Sequence, residues 1–241
     1  MPTPESEPLS LDYFSGGVPP GITIQGTLDD LAKAMNRRAQ GLNRVNELCL
    51  IGLVSYTEAF FKDQLAAVLN IEPDLVHGLA KAGHDVLIDP LALLHHKTDW
   101  NCKLGFLLAE KHDFGTWKKV NALFSAALNI SPFSKEEGKY FEGLLRDRNL
   151  LVHHGGVLTT SYVAQMKATA NDDLSWGPFW NSLIVSPEYL DERLKFIREL
   201  AHKTINQCCK RLTEIADGAA VAYSEERRKA VEAVAWWSDD E

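Results

Sequence analysis

Apolar residues recur every three or four positions along most of the chain, the spacing of a helix with one buried face. No strand–helix alternation, internal repeat or glycine-rich phosphate loop interrupts this pattern. Ser134 and Glu137 form a capping box, and the two glycines after His154 supply a stop signal. The pattern predicts helices over residues 27–70, 76–80, 90–94, 104–111, 117–128, 135–154, 189–216 and 224–237.

Two segments depart from helical periodicity. Residues 1–26 contain half of the ten prolines and four glycines, which predicts an extended arm with one short strand at Ile22–Ile24. Residues 157–186 are weakly patterned, and their ends, 157–158 and 183–185, are apolar enough to pair as a small hairpin. Neither segment carries a recognisable motif.

The predicted fold class is therefore all-α, a bundle to which five to seven of these segments contribute. Three parts follow from the pattern: an extended N-terminal arm (1–26), a helical domain (27–217), and a charged C-terminal helix with an acidic tail (218–241). Residues 48–69 are apolar almost all round and predict a central buried helix interrupted by Tyr56 and Glu58. Trp236 and Trp237 either dock on the body or meet a partner.

Composition narrows the classes of function. The 241 residues are 45% hydrophobic, enough for a core without disulfides or metals. The net charge of -8 and pI near 5.5 exclude nucleic-acid binding through bulk charge, so phosphate recognition must be local. The four cysteines contain no C-x-x-C pair and are predicted to be free thiols in a reducing compartment.

The sequence also bears on location and cofactors. The first residues lack the basic and apolar regions of a signal peptide, and no apolar run is long enough to span a membrane. We therefore expect a soluble, cytoplasmic protein. His95, His96, Asp99 and Cys102 resemble a metal cluster, but no second group completes four ligands, so a polar loop is favoured and no metal or cofactor is predicted.

The end of the helix over 135–154 gathers side chains that bind phosphate. At about 100° per residue, Glu142, Asn149 and His153 fall within about 60° of Arg146. The opposite side is predicted to face the core and carries Phe141, Leu144, Leu145, Leu151 and Val152. Arg148 falls in that apolar stripe, where a guanidinium needs a partner or a cavity. Glu58 is the candidate partner, and a cleft against a second subunit is the alternative.

Three of these residues form a chemically coherent set. His153 lies in the last helical turn, where free carbonyls favour an imidazolium, and histidine is suited to proton transfer near neutral pH. An arginine that binds a phosphate oxygen, a histidine that moves protons and an asparagine that orients one of them suit RNA cleavage. A metal is not required, because RNA supplies its own 2′-hydroxyl nucleophile.

The hexapeptide Arg148–His153 resembles the R-x4-H motif of HEPN domains, in which a polar residue often follows the arginine, as Asn149 does here. Residues 53–61 resemble the long early helix of that family, and 115–130 resemble the helix before the motif helix. The resemblance covers roughly residues 28–215.

The resemblance implies a helical bundle that forms a homodimer with two motif helices at a shared cleft. In many members that cleft is a metal-independent endoribonuclease site used in toxin–antitoxin, phage-defence or RNA-processing systems. Carried over, Arg148 would stabilise the scissile phosphate, His153 would act as acid or base, and Asn149 would orient them. Glu58, Arg146 and His154 are supporting candidates. RNA is then the substrate, and an inhibitory protein partner is an accompanying hypothesis.

Some features limit the resemblance. Gly155 stands where a tyrosine modified by a partner nucleotidyltransferase would be, which disfavours that antitoxin arrangement. His154 has no assigned role. Three readings stay open: an HEPN endoribonuclease, a non-catalytic HEPN module that binds RNA, nucleotide or protein, and an unrelated helical protein in which Arg148 is a structural ion-pair residue.

Overall fold

Helices pack around one long central helix in this protein. A computed structural model describes residues 8–91, 103–168 and 181–237, and no β-strand occurs within those ranges, which confirms the all-α class. The helices are α1 (Pro20–Ala34), α2 (Arg44–Ile71), α3 (Val76–Lys81), α4 (Leu104–Ala109), α5 (Trp117–Leu128), α6 (Lys135–His154), α7 (Thr160–Ala168), α8 (Pro187–Gly218) and α9 (Glu225–Ala233). Short 3-10 turns lie at Ser10–Tyr13, Ser15–Gly17 and Pro73–Leu75.

The central helix is α2, which contacts α1, α4, α6, α8 and α9. Asn43 caps its start by accepting from the Asn46 amide. Most of its residues from Leu50 onward are buried, as the sequence predicts, because neighbouring helices cover almost its whole circumference. One stripe is not covered: Leu48 is 65% exposed and Tyr56 is 51% exposed. The prediction that Leu48 belongs to the core is therefore wrong.

The N-terminal segment differs from the predicted arm. Residues 20–26 are the first turns of α1, so the strand at Ile22–Ile24 is wrong. Pro20 presets the helical φ at the first position, and Ile24 and Leu28 continue a buried helical face. Gly21 serves close packing, since a Cβ there would lie 2.3 Å from the carbonyl oxygen of Trp236.

The predicted helix over 27–70 is in fact two helices. α1 ends at Ala34, and residues 35–43 form an irregular connection before α2 begins at Arg44. The Asn46 side chain spans this connection by bonding the Asn36 backbone and the Val185 carbonyl. An uninterrupted apolar pattern hid the break, although Gly41 and the Asn43 cap mark it.

The caps of α5 and α6 are as predicted. The Thr116 side chain accepts from the Lys119 amide, and Ser134 with Glu137 completes a reciprocal capping box. Gly155 ends α6 in the left-handed conformation at φ 59°, which favours glycine. These signals place the motif residues on the last two turns of α6.

The segment after α6 contains α7, a helix that the sequence does not predict. The expected hairpin is reduced to one antiparallel bridge between Val157 and Ser182. The C-terminal helix α9 packs on the body near α8 and the first 3-10 turn. Trp237 packs against the core, which supports docking, whereas Trp236 is half exposed.

Several predictions concern residues outside the described ranges. These are most of the helix at 90–94, the polar segment at 95–102, the middle of the weakly patterned segment (169–180) and the acidic tail after Trp237. In the described part of the chain Cys49, Cys208 and Cys209 are free. None of the helices in that part is long and apolar enough to cross a membrane.

Candidate functional site

Arg148 and Glu58 form the ion pair anticipated from the sequence. Arg148 Nη2 donates to Glu58 Oε1 over 2.7 Å and joins α6 to α2. Their side chains are 24% and 28% exposed, so the pair is half-buried and reachable from solvent. Because one guanidinium nitrogen is occupied by the carboxylate, a phosphate at Arg148 must compete with Glu58 or approach a different edge.

A second acid–base pair lies beside the first. Asp113 accepts from the Lys119 ammonium and from the Gly115 amide, in the connection between α4 and α5. A Cβ built on Gly115 would lie 2.9 Å from Asp113 Oδ1 and 3.7 Å from Glu58 Oε1, so both carboxylates border this glycine. The Lys119 ammonium is the largest factor that lowers the pKa of Asp113. The surface around Arg148 is thus charged but locally balanced.

Arg148 lies at the edge of the buried face of α6. The residues that face the core are Gly138, Phe141, Leu144, Asp147, Leu150 and Leu151. The prediction that Val152 belongs to this stripe is wrong, since Val152 is 49% exposed. The buried face is rotated toward Asp147 because α7 and α8 cover that side of the helix, and neither neighbour could be placed from the sequence.

Asp147 is the centre of a polar cluster that sequence reasoning misses. Its carboxylate accepts from the hydroxyl of Tyr162 on α7 at 2.7 Å and from the hydroxyl of Tyr189 on α8. Burial, reinforced by the charge of Asp147, raises the pKa of both phenols above their usual range. We call Asp147, Tyr162, Tyr189, Arg146 and Arg193 the Asp147 cluster.

The two arginines of the Asp147 cluster stack on its tyrosines. The Cζ of Arg146 lies 5.3 Å from the ring centroid of Tyr162, and that of Arg193 lies 3.9 Å from Tyr189. Arg146 Nε is 3.7 Å from Asp147 Oδ1, outside hydrogen-bond distance. The cluster fixes the C-terminal half of α6 against α7 and α8.

Asn149, His153 and His154 all face solvent on the last turns of α6. On an ideal helix His153 lies about 140° from Arg148 and about 20° from Arg146. The structure therefore brings Arg148 to Glu58, but it does not bring Arg148 and His153 together within one chain. Such an arrangement allows phosphate binding and proton transfer on two different sides of α6.

A metal centre finds no support in the described residues. Within 8–91, 103–168 and 181–237, no three histidine, cysteine, aspartate or glutamate side chains are placed to share a metal ion. The nearest approach to a cluster at the site is the pair Glu58 and Asp113, and each carboxylate already has a cationic partner.

A signal for the Asp147 cluster exists in the sequence but is weak. Asp147 lies one position from each of two arginines, which suggests a surface charge run rather than a buried carboxylate. Tyr162 lies in the weakly patterned segment, and Tyr189 follows the cap of α8, so neither points to α6 without the fold.

Comparison with known proteins identifies no relative: no protein-family model, curated protein or solved structure matches this chain.

Proposed function

We propose that the chain is a metal-independent endoribonuclease of the HEPN type, with a site completed in a homodimer cleft between two α6 helices. One observation carries the proposal. The end of α6 presents Asn149 and His153 to solvent, while Glu58 holds Arg148 half-exposed slightly more than one turn earlier. An arginine and an accessible imidazole at the end of one helix are groups that suit metal-independent RNA cleavage.

The chemistry uses the 2′-hydroxyl of the substrate. Its oxygen attacks the adjacent phosphorus, the bond from phosphorus to the 5′-oxygen breaks, and the products are a 2′,3′-cyclic phosphate and a 5′-hydroxyl. The 2′-hydroxyl gives up its proton and the departing 5′-oxygen gains one; His153 serves as the base or the acid in one of these transfers, and water exchanges the other proton. Arg148 offsets the charge that develops on the phosphate oxygens. Asn149 orients Arg148 and His153. No step needs a metal.

A second protomer would bring an arginine and a histidine to the same phosphate. Arg148 and His153 of one chain point about 140° apart, so a phosphate at one is not at the other. In a two-fold pair, Arg148 of one protomer faces His153 of its partner. The stripe on α2 formed by Val45, Leu48 and Tyr56 is 45–65% exposed. Val152, which lies one turn after Arg148 on α6, is also exposed. Exposed apolar surface of this kind is typical of interfaces.

A non-catalytic HEPN module that binds RNA, nucleotide or protein is the second candidate. The Arg148–Glu58 ion pair favours it, because a neutralised guanidinium attracts a phosphate less strongly than a free one. The net charge of -8 points the same way. For either candidate, a role as toxin or defence factor restrained by an inhibitory protein partner comes from the resemblance to HEPN domains.

Cleavage of a labelled single-stranded RNA in EDTA tests the proposal. The proteins are the wild type, Arg148→Ala, His153→Ala and, as a control, His77→Ala, which removes an exposed histidine on α3. We expect losses of about 10²–10⁴-fold for His153→Ala and on the order of 10²-fold for Arg148→Ala, and no loss for His77→Ala. RNA binding without cleavage supports the second candidate. Chelator-resistant cleavage that survives both substitutions contradicts the first.

A further inference from the structure

Arg146 and His153 lie on the same side of α6. They are seven residues apart, which is about 20° in azimuth, and Asn149 lies on that side between them. Arg148 lies about 140° from His153 on the same basis. The arginine aligned with the solvent-facing imidazole in one chain is therefore Arg146.

The charge of Arg146 is less compensated than that of Arg148. Its closest carboxylate oxygen is Asp147 Oδ1 at 3.7 Å, and Asp147 already accepts from the hydroxyls of Tyr162 and Tyr189. The buried Nε atoms of Arg146 and Arg148 both lack a hydrogen-bond partner among the described residues, so the difference between the two arginines lies in their carboxylate contacts, at 3.7 Å and 2.7 Å. The side chain is 18% exposed and stacked on Tyr162, so the guanidinium is positioned before any ligand binds.

The two groups are too far apart for one phosphate. Arg146 Nη2 lies 3.7 Å from the position of a Cβ on Gly143, so the guanidinium leans toward the start of the helix. From Gly143 to His153 is ten residues, or about 15 Å at ~1.5 Å per residue. That length exceeds the distance between two adjacent phosphates of a single strand, so the phosphates at Arg146 and at His153 belong to linkages that are not adjacent.

One direction along this face is electrostatically favoured. Glu142 lies one turn before Arg146, and its Oε1 accepts from Trp117 Nε1 at 2.7 Å, so negative charge is fixed there. A polyanion that runs from Arg146 toward His153 meets no further carboxylate on α6, because residues 148–154 contain no acid. Toward the start of the helix it meets Glu142 before it reaches the exposed Lys139.

We propose that single-stranded RNA runs along the Arg146–Asn149–His153 face of α6, with Arg146 binding a phosphate that is not adjacent to the one at His153. This inference rests on the proposed function and specifies its substrate, which is an oligonucleotide rather than a mononucleotide. Arg146 is a binding residue that extends the site; Arg148 remains the residue of the scissile phosphate.

Binding of 2′-O-methyl oligouridylates tests the inference, because the blocked 2′-hydroxyl prevents cleavage. Fluorescence anisotropy in EDTA compares a 12-mer and a 3-mer on wild type, Arg146→Gln and Arg146→Lys. Arg228→Gln on α9 is the control, an exposed arginine 3.6 Å from Asp217. We expect Arg146→Gln to weaken 12-mer binding roughly tenfold, as for one charge-assisted contact. The salt slope should fall by about 0.7, and the lysine variant should keep that slope.

Length dependence separates this role from a structural one. The 3-mer cannot span both groups, so Arg146→Gln should change its affinity less than about twofold, given the ~15 Å separation. Equal losses for both oligomers, an unchanged 12-mer affinity, or no binding of the 12-mer by wild type would overturn the inference. Binding is measured without cleavage, so a protein that binds as described and never cuts RNA contradicts the proposed endoribonuclease alone.

Discussion

Arg146 and Arg148 are two residues apart on α6 and make opposite kinds of contact. Arg148 is paired with Glu58 at 2.7 Å and joins two helices, whereas Arg146 stacks on Tyr162 beside a carboxylate that two phenols already occupy. Between them, Asp147 is 5% exposed and is the buried charge of the site. Replacing each residue is therefore expected to change the free energy of unfolding by a different amount.

A double-mutant cycle measures the Arg148–Glu58 interaction. Arg148→Ala, Glu58→Ala and the double variant should give a coupling energy of roughly 1 kcal/mol in urea unfolding, since half-burial strengthens the pair above the surface range. Arg37 and Asp191 form the matched control at 2.9 Å, with side chains 58% and 47% exposed. Their coupling should stay below about 0.5 kcal/mol. Equal couplings would show that burial does not strengthen the pair.

Replacing Asp147 by asparagine should be costly. The amide cannot accept from both phenols as well as the carboxylate does, and two buried hydroxyls lose their charged acceptor. We expect the free energy of unfolding to fall by about 2–4 kcal/mol, measured by urea denaturation. Tyr162→Phe should cost about 1–2 kcal/mol, because Asp147 keeps its other donor. An unchanged free energy of unfolding for Asp147→Asn would mean that the buried carboxylate does not stabilise the packing of α6 against α7 and α8.

At the scale of elements, α6 owes its position to close packing on α5. A Cβ built on Gly138 would lie 2.4 Å from the ring of Trp117, which is itself tied to Glu142. The sequence predicts the bounds and caps of both helices from Thr116, Ser134 and Gly155, because capping is local chemistry. It does not predict how closely they approach, since that depends on the tertiary fit of one glycine.

Two glycines on α6 provide a matched test of this packing. Gly138→Ala should lower the free energy of unfolding by about 1–3 kcal/mol, because the Trp117 ring must move. Gly143→Ala should raise it by about 0.5–1 kcal/mol, because the new methyl group meets only Arg146 Nη2 at 3.7 Å and alanine favours the helix. The free energies of unfolding of the two variants are compared by thermal or urea denaturation. Similar effects at both positions would contradict the described approach of α5 and α6.

The wrong predictions of helix positions have the same cause, because they too depend on tertiary packing. The predicted extended arm is wrong for residues 20–26, because prolines and glycines are typical of loops, whereas here Pro20 opens α1 and Gly21 lets the helix approach Trp236. α7 escaped notice because its sequence has almost no amphipathic pattern. The helical spacing of apolar residues on α6 wrongly predicts that Val152 is buried and gives no sign that Asp147 is. Which side of α6 is buried depends on the position of α7, and the sequence does not predict that position.

At the scale of the whole molecule, α9 is tied to the end of α2 and to the first 3-10 turn. The Glu72 carboxylate accepts from Arg227 Nη2 at 2.9 Å and from the Tyr223 hydroxyl, and Arg227 Nε donates to the Ile71 carbonyl. Glu226 accepts from the Ser10 amide. The C-terminal helix is therefore part of the packed body, and it leaves the apolar stripe of Val45, Leu48 and Tyr56 on α2 exposed.

Removal of the Arg227 side chain tests this arrangement. Arg227→Ala removes the donor to the Ile71 carbonyl and the cationic partner of the buried Glu72 carboxylate, which keeps the Tyr223 hydroxyl. We therefore expect the free energy of unfolding to fall by about 2–3 kcal/mol in urea denaturation. Arg228→Ala is the control, because its contact with Asp217 is exposed and 3.6 Å long. The free energy of unfolding of Arg228→Ala should lie within about 0.5 kcal/mol of the wild-type value. Equal effects would show that α9 is not anchored through Glu72.

Subunit mixing is the most direct test of the central claim, a ribonuclease site built from Arg148 of one protomer and His153 of its partner. Arg148→Ala and His153→Ala are purified separately, mixed in equal amounts, denatured and refolded together, and assayed for RNA cleavage in EDTA. Half of the dimers are then mixed, and each contains one intact site of two. We expect the two inactive proteins to regain roughly one quarter of wild-type activity, the fraction of intact sites in a random two-subunit mixture. A mixture no more active than either variant alone would contradict a shared site.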